Sequence, residues 1–293
     1  MPRLTTILPI AFVVIWASAF ISAKAIIADA TPFAALAFRF AIVTASFALL
    51  LVFLTKKQWL NKAQIGHAAV TGLLFHGFYL GGVFWALSHG LSATLAALIA
   101  SLQPIFVALL AGPLLSERIT AKQWLGIVLG FSGAVLVIGF DVGNTIPLLG
   151  LLTCIGALCA AITGTLYQKK FGQDLPLIPA NIVQAGAATL LHIILISLFE
   201  TPNITFSNSF ITAMAWQIMA VSFGAYVILL VLLQRGTANQ TSSLLFLVAP
   251  VAALQAWLIL GEVMSAIDVA GLCLASLGVY IATRPAKDAQ AHS

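Results

Sequence analysis

Lys24 and Arg39 are charged side chains set inside long apolar runs, 7–27 and 33–54. A charge in such surroundings is costly unless a cavity, a partner or a solute meets it. The planar guanidinium of Arg39 would receive a carboxylate through two parallel hydrogen bonds. Bonding of Arg39 to helix carbonyls is the competing reading, and Lys24 could extend its head group outward from its run. His76 falls near the middle of a third run beside Phe75 and Tyr79, and Trp16 near the middle of the first. Tyr226, Ser242, Ser243 and Phe246 could form an opposite wall. Aromatic rings with a few polar groups suit amino acids or other small amphiphiles. The predicted substrate-binding set is therefore Trp16, Arg39, His76, Tyr79, Tyr226, Ser243 and Phe246, with ordinary aromatic packing as the alternative for each. His67 and His192 are expected to be structural.

Other chemistries lack their residues. Asp29, Glu117, Asp141, Asp174, Glu200, Glu262, Asp268 and Asp288 all fall in links, at span ends or in the tail. No carboxylate sits mid-span to relay protons, which leaves facilitated diffusion, exchange or a histidine-based proton route. The sequence has no G-x-x-x-x-G-K-[ST], H-E-x-x-H or G-x-S-x-G motif. Cys154, Cys159 and Cys273 form no C-x-x-C pair, so neither a metal site nor a disulfide framework is supported. No catalytic residue and no cofactor is predicted.

The elements that must hold these residues are helices in lipid. The chain is 61% hydrophobic and 7% charged, whereas soluble domains carry about 25% charged residues. Ten spans are predicted: 7–27, 33–54, 65–87, 92–115, 122–140, 147–168, 177–199, 211–233, 238–260 and 266–283. Each approaches the ~20 residues needed to cross a bilayer. Thr120–Gln123 and Ser265–Asp268 read as capping boxes opening the fifth and tenth spans. Eleven of the 13 lysines and arginines fall at the N-terminus, in alternate links and in the tail. All eleven lie on one side, which predicts both termini in the cytoplasm. This distribution explains the net charge of +5 without nucleic acid.

The chain also repeats. Gly90 to Pro104 and Gly236 to Pro250 are both 14 residues apart, Glu117 to Gly126 and Glu262 to Gly271 both 9, and Gly126 to Gly133 and Gly271 to Gly278 both 7. Each half then holds five spans, an odd number, so the second half enters the membrane from the opposite side. The predicted fold is all-α: ten transmembrane helices as two inverted five-helix repeats, 1–141 and 142–284, followed by a cytoplasmic tail, 285–293. Inverted repeats are a common plan of secondary transporters, with the solute near the midplane between halves. Pro104 and Pro250 are expected inside the fourth and ninth spans, where each frees a carbonyl and could kink or gate the helix. Gly126-x-x-x-Gly130, Gly271-x-x-x-Ala275 and Gly77-x-x-x-Gly81 predict close helix packing.

Trp16-Ala-Ser-Ala-Phe20 with Lys24, Phe38-Arg39, and Pro104 followed by Leu115-Ser116-Glu117-Arg118 and Gly126 resemble the EamA type of the drug/metabolite transporter superfamily. Pro250 and Gly261-Glu262 before Gly271 continue the likeness in a second copy. In that copy Cys159 stands where a tryptophan is common, and Gln184 near where the first half has Arg39. The resemblance implies an inner-membrane exporter of small metabolites such as amino acids, working by alternating access. A channel-like facilitator and a membrane-embedded enzyme are the rival readings. The expected partners are a small-molecule substrate and membrane lipid, with the chain a monomer or homodimer.

Overall fold

The computed structural model describes residues 2–53, 59–91, 96, 99–100, 102–117, 119–138, 147–260 and 266–283. Arg118, Asp141, Gly261, Glu262, Ser265 and the tail from Arg284 lie outside the described residues. Within them the chain is helical. The helices are α1 (Pro2–Asp29), α2 (Pro32–Phe53), α3 (Lys62–Ser88), α4 (Gln103–Leu115), α5 (Ala121–Ile138), α6 (Leu148–Phe171), α7 (Leu177–Phe199) and α8 (Asn208–Arg235). They continue with α9, formed of Ala238–Ser243, a 3-10 stretch Leu244–Leu247 and Val248–Leu260, and α10 (Ala266–Ala282). Among the described residues six helices, α1, α2, α3, α6, α7 and α8, are long and apolar enough to cross a membrane. The protein is an all-α polytopic membrane protein.

Its polarity is distributed as lipid demands. Leu49, Phe53, Leu190, Ile194 and Leu198 are exposed, while Arg39, His76, Gln103, Gln168, Gln184 and Gln217 are buried. A water-soluble globule places these residue types the other way round. Local chemistry sets several helix starts. The Thr120–Gln123 box forms, with Gln123 N donating to Thr120 Oγ1 at 3.3 Å and Thr120 N to Gln123 Oε1 at 3.0 Å. Asn61–Gln64 and Thr237–Gln240 make two further boxes that the sequence reading did not single out.

The two halves interlock. α2 packs on α7, α4 on α9 and α5 on α10, while α1 meets α8 as α6 meets α3. The α5–α10 contact shows the symmetry at atomic scale. A Cβ added to Gly133 would lie 2.6 Å from Gly271 O, and one added to Gly278 would lie 2.7 Å from Gly126 O. These pairs are repeat mates. Early residues of α5 meet late residues of α10, so the helices are antiparallel and the two-fold axis between them is perpendicular to both. An axis in that direction lies in the membrane plane, which is the geometry of an inverted repeat. Only glycine permits backbones this close. The small-residue faces on α5 and α10 therefore serve packing within the chain.

Two regularities have no counterpart in the sequence reading. Leu73–Tyr79 of α3 and Gln217–Ala225 of α8 are π-helical. Moving the first by 145 residues, the Gly126-to-Gly271 register, lands on 218–224, inside the second. Such bulges shift the phase of the side chains that follow and recur at functional sites.

The structure shows where the two prolines sit in their helices. Pro104 occupies the first turn of α4, just after the turn residue Leu102, and so starts that helix instead of bending it from within. A first-turn proline forfeits no hydrogen bond. Pro250 lies in the first turn of Val248–Leu260, just after the 3-10 stretch Leu244–Leu247. Both prolines thus mark breaks between helical segments.

Candidate functional site

The π segment of α3 turns Phe75, His76 and Tyr79 inward. α8 faces them with Gln217 and Tyr226, α2 with Arg39 and α1 with Trp16. Trp16, Arg39, His76, Tyr79, Gln217 and Tyr226 line one cavity of about 40 Å³. The rings pack tightly: His76 and Tyr226 have centroids 4.1 Å apart, Phe40 and His76 4.8 Å, and Trp16 and Phe75 6.1 Å edge to face. At roughly 10–15 Å³ of such volume per water, the cavity holds about three waters. An amino acid would need its walls to part.

Arg39 is 4% exposed. Its Nε and one terminal nitrogen donate to Ser222 Oγ, at 3.1 and 3.0 Å. Its Cζ lies 5.2 Å from the Phe40 ring centroid. Among the described residues no carboxylate lines the cavity. The cation therefore rests on a neutral hydroxyl and a ring face, with donors to spare.

Gln184 stands at the repeat position of Arg39 and is fully buried. It accepts from Tyr226 Oη at 2.7 Å and donates to Gln168 Oε1 at 3.4 Å. One helix, α8, thus holds both repeat mates, Arg39 through Ser222 and Gln184 through Tyr226.

Gln217 is 1% exposed. Its Nε2 donates to Ala19 O and Ser22 Oγ, both at 2.9 Å, while its Oε1 is buried with no partner. An unpaired buried acceptor costs about 1–3 kcal/mol. His76 Nδ1 is likewise unpaired.

The remaining predicted residues lie elsewhere. Ser243 is buried, its hydroxyl donating to Asn239 O at 2.8 Å within α9. Phe246 is buried against Gly130, filling the space beside α5. Ser242 lines a second void of about 10 Å³ with Gln103, Thr165 and Thr241. Gln103 Nε2 donates to Thr165 Oγ1 there at 3.0 Å. Trp16 and Phe75 border both spaces and form the partition between them. Lys24 is exposed and takes no part. His192 lies between the Phe33 and Phe40 rings, and His67 bonds to Tyr167 Oη at 2.8 Å. Sequence reasoning missed Gln217 and Ser222. The available signal was an amide buried in an apolar run, weighed less than the charges.

Contacts between the halves tie the molecule together at both ends. At one end the α1–α2 and α7–α8 links pair as a short antiparallel bridge, Ala30 with Ile204. Asp29 Oδ2 accepts from Ser207 Oγ at 2.6 Å, and the Glu200 carboxylate accepts from the N–H groups of Phe33 and Ala34 at 2.9 and 3.2 Å. At the other end Glu117 accepts from the N–H groups of Ala238 and Asn239 at 2.8 and 3.3 Å. Each carboxylate caps the positive N-terminus of a helix from the opposite half, α2 or α9.

Two stretches of the chain, 4–139 and 148–284, match the EamA-like transporter family. An uncharacterized transporter of Archaeoglobus fulgidus is 27% identical over 93% of this chain and 96% of its own length. A probable amino-acid metabolite efflux pump of Escherichia coli is 24% identical over 96% of this chain and 95% of its own. One crystal structure of a protein superimposes with a TM-score of 0.77 at 19% identity, covering 95% of this chain and 96% of that one. That likeness is one of fold.

Proposed function

The chain belongs to the EamA-like transporter family, and from that premise we propose that it exports small carboxylate-bearing metabolites, amino acids among them, by alternating access across the inner membrane. The observation that carries this reading is Arg39. It is a buried cation facing a cavity without a carboxylate among the described lining residues. A solute carboxylate would complete its coordination through the donors that Ser222 leaves free. The aromatic walls would take the apolar part of the solute. The naming of two relatives as probable amino-acid metabolite efflux pumps supports this choice of class.

In this reading the repeats 1–141 and 142–284 rock against each other with both termini in the cytoplasm. The Glu200 contacts close the outer side, the Glu117 contacts close the inner side, and the two open in alternation. Gating breaks at Pro104 and Pro250 fit such a motion. The test is counterflow in proteoliposomes preloaded with unlabelled amino acids. A saturable overshoot of labelled solute supports a carrier. Linear, non-saturating flux would favour a channel-like facilitator, and no flux of any carboxylate solute would reject the proposal.

A further inference from the structure

We infer that Gln217 accepts the solute's ammonium group, and so separates an α-amino acid from the corresponding plain carboxylate. The inference rests on the reading that Arg39 receives the carboxylate.

The amide orientation at Gln217 is not free. Ala19 O can only accept, so the atom facing it must be the NH2 group, and Ser22 Oγ takes the second N–H. A flipped amide would set oxygen against the Ala19 carbonyl. Gln217 therefore presents an acceptor by necessity, with no donor left to offer. That acceptor is buried, has no partner, and belongs to a residue lining the same cavity as Arg39. Among the described lining residues His76 Nδ1 is a second buried, unpaired polar atom, and it can donate or accept according to its tautomer. With no carboxylate among the described lining residues, the ammonium group is left to ring faces or a neutral acceptor. Gln217 supplies one whose geometry is fixed before the solute arrives. The π segment that begins at Gln217 sets its phase relative to Tyr226.

A plain carboxylate leaves this oxygen desolvated and unpaired, whereas a protonated amine pairs with it. Sites built around a buried hydrogen-bonding group reject analogues that lack its partner far more strongly than apolar pockets reject a missing methylene.

The experiment compares two probe pairs in proteoliposomes: L-phenylalanine with 3-phenylpropionate, and L-leucine with 4-methylpentanoate. The readout is the flux ratio of amino acid to des-amino analogue, which does not depend on how much protein is folded. Gln217→Met should lower this ratio at least tenfold. Gln217→Glu, which keeps an oxygen acceptor, should hold or raise it. A ratio unchanged in Gln217→Met, or lowered equally in both variants, overturns the inference. Arg39→Gln separates the two readings. If it reduces flux of all four probes while Gln217→Met leaves the ratio intact, only the role of Gln217 is wrong. If Arg39→Gln leaves all four unaffected, or wild type carries none of them, the carboxylate reading falls and this inference with it.

Discussion

The Arg39 guanidinium holds the Ser222 hydroxyl with two of its nitrogens, at 3.1 and 3.0 Å, across the boundary between the two halves. A fork closed on one neutral oxygen is anchored without being neutralised. Its remaining donors are left for a second partner.

Replacing the fork tests this directly. Arg39→Lys retains charge but loses the planar geometry, and vesicle uptake should fall several-fold. Arg39→Gln should reduce it at least tenfold, with the detergent melting temperature little changed. Ser222→Ala leaves the guanidinium less well held, and apparent solute affinity should weaken more than maximal rate. Loss of stability in proportion to loss of activity in Arg39→Gln would instead make the residue structural.

The glycine contact between α5 and α10 predicts a paired stability effect. Gly133→Ala and Gly278→Ala each force a methyl group into opposing backbone, and overpacking of this kind costs about 1–3 kcal/mol. Both variants should melt earlier in detergent, by similar amounts because the sites are repeat mates. Gly66→Ala meets nothing within 4 Å and should be neutral or stabilising, since alanine favours the helix by about 0.5–1 kcal/mol. Equal melting of all three would contradict the close approach.

The carboxylate caps predict sidedness. Glu200→Gln weakens the cap on α2 and Glu117→Gln the cap on α9, since a charged acceptor at a helix N-terminus is stronger than a neutral one. With one cysteine placed at Ala23, a cavity-lining position, and the native thiols replaced, Glu200→Gln should raise labelling by an impermeant maleimide from outside several-fold. Glu117→Gln should not. The reverse pattern would invert the assignment of the two ends.

The distribution of lysine and arginine predicts that reporters fused at Met1 and Ser293 mark the cytoplasm and that one inserted after Glu200 marks the exterior. A periplasmic signal from either terminus would exclude an even number of crossings with both ends inside.

The helices were legible in the sequence because lipid leaves the backbone few alternatives, so apolar length and polar links nearly suffice. The 211–233 expectation and the observed Asn208–Arg235 differ by three residues at one end and two at the other. The repeat was legible because glycine at a backbone contact admits no substitute, and Gly126, Gly133, Gly271 and Gly278 are that contact. That Trp16, Arg39 and His76 line one cavity could be anticipated by counting their depth along a run. Phe246 lies within the 3-10 stretch Leu244–Leu247, which breaks the helical phase on which such counting depends, and Ser243, just before it, bonds within its own helix. The π segments escaped notice because they change hydrogen-bond register without changing composition. Gln217 escaped because an amide carries no charge to draw attention, although its pinned orientation makes it as directional as one.

The packing of Gly133 against Gly271 and of Gly278 against Gly126, related by a two-fold axis in the membrane plane, bears on thermodynamics as well as on stability. If each half adopts the backbone conformation of the other, the result is the same shape facing the opposite compartment. The scaffold therefore contains no ratchet. Side chains that differ between the halves, Arg39 against Gln184 above all, set which orientation rests lower in energy. In the proposed carrier working without a coupling ion, the sign of net flux follows from the concentrations on either side. A carrier of that kind would empty a cell of a solute that accumulates inside, and would run backwards in a vesicle with the gradient reversed.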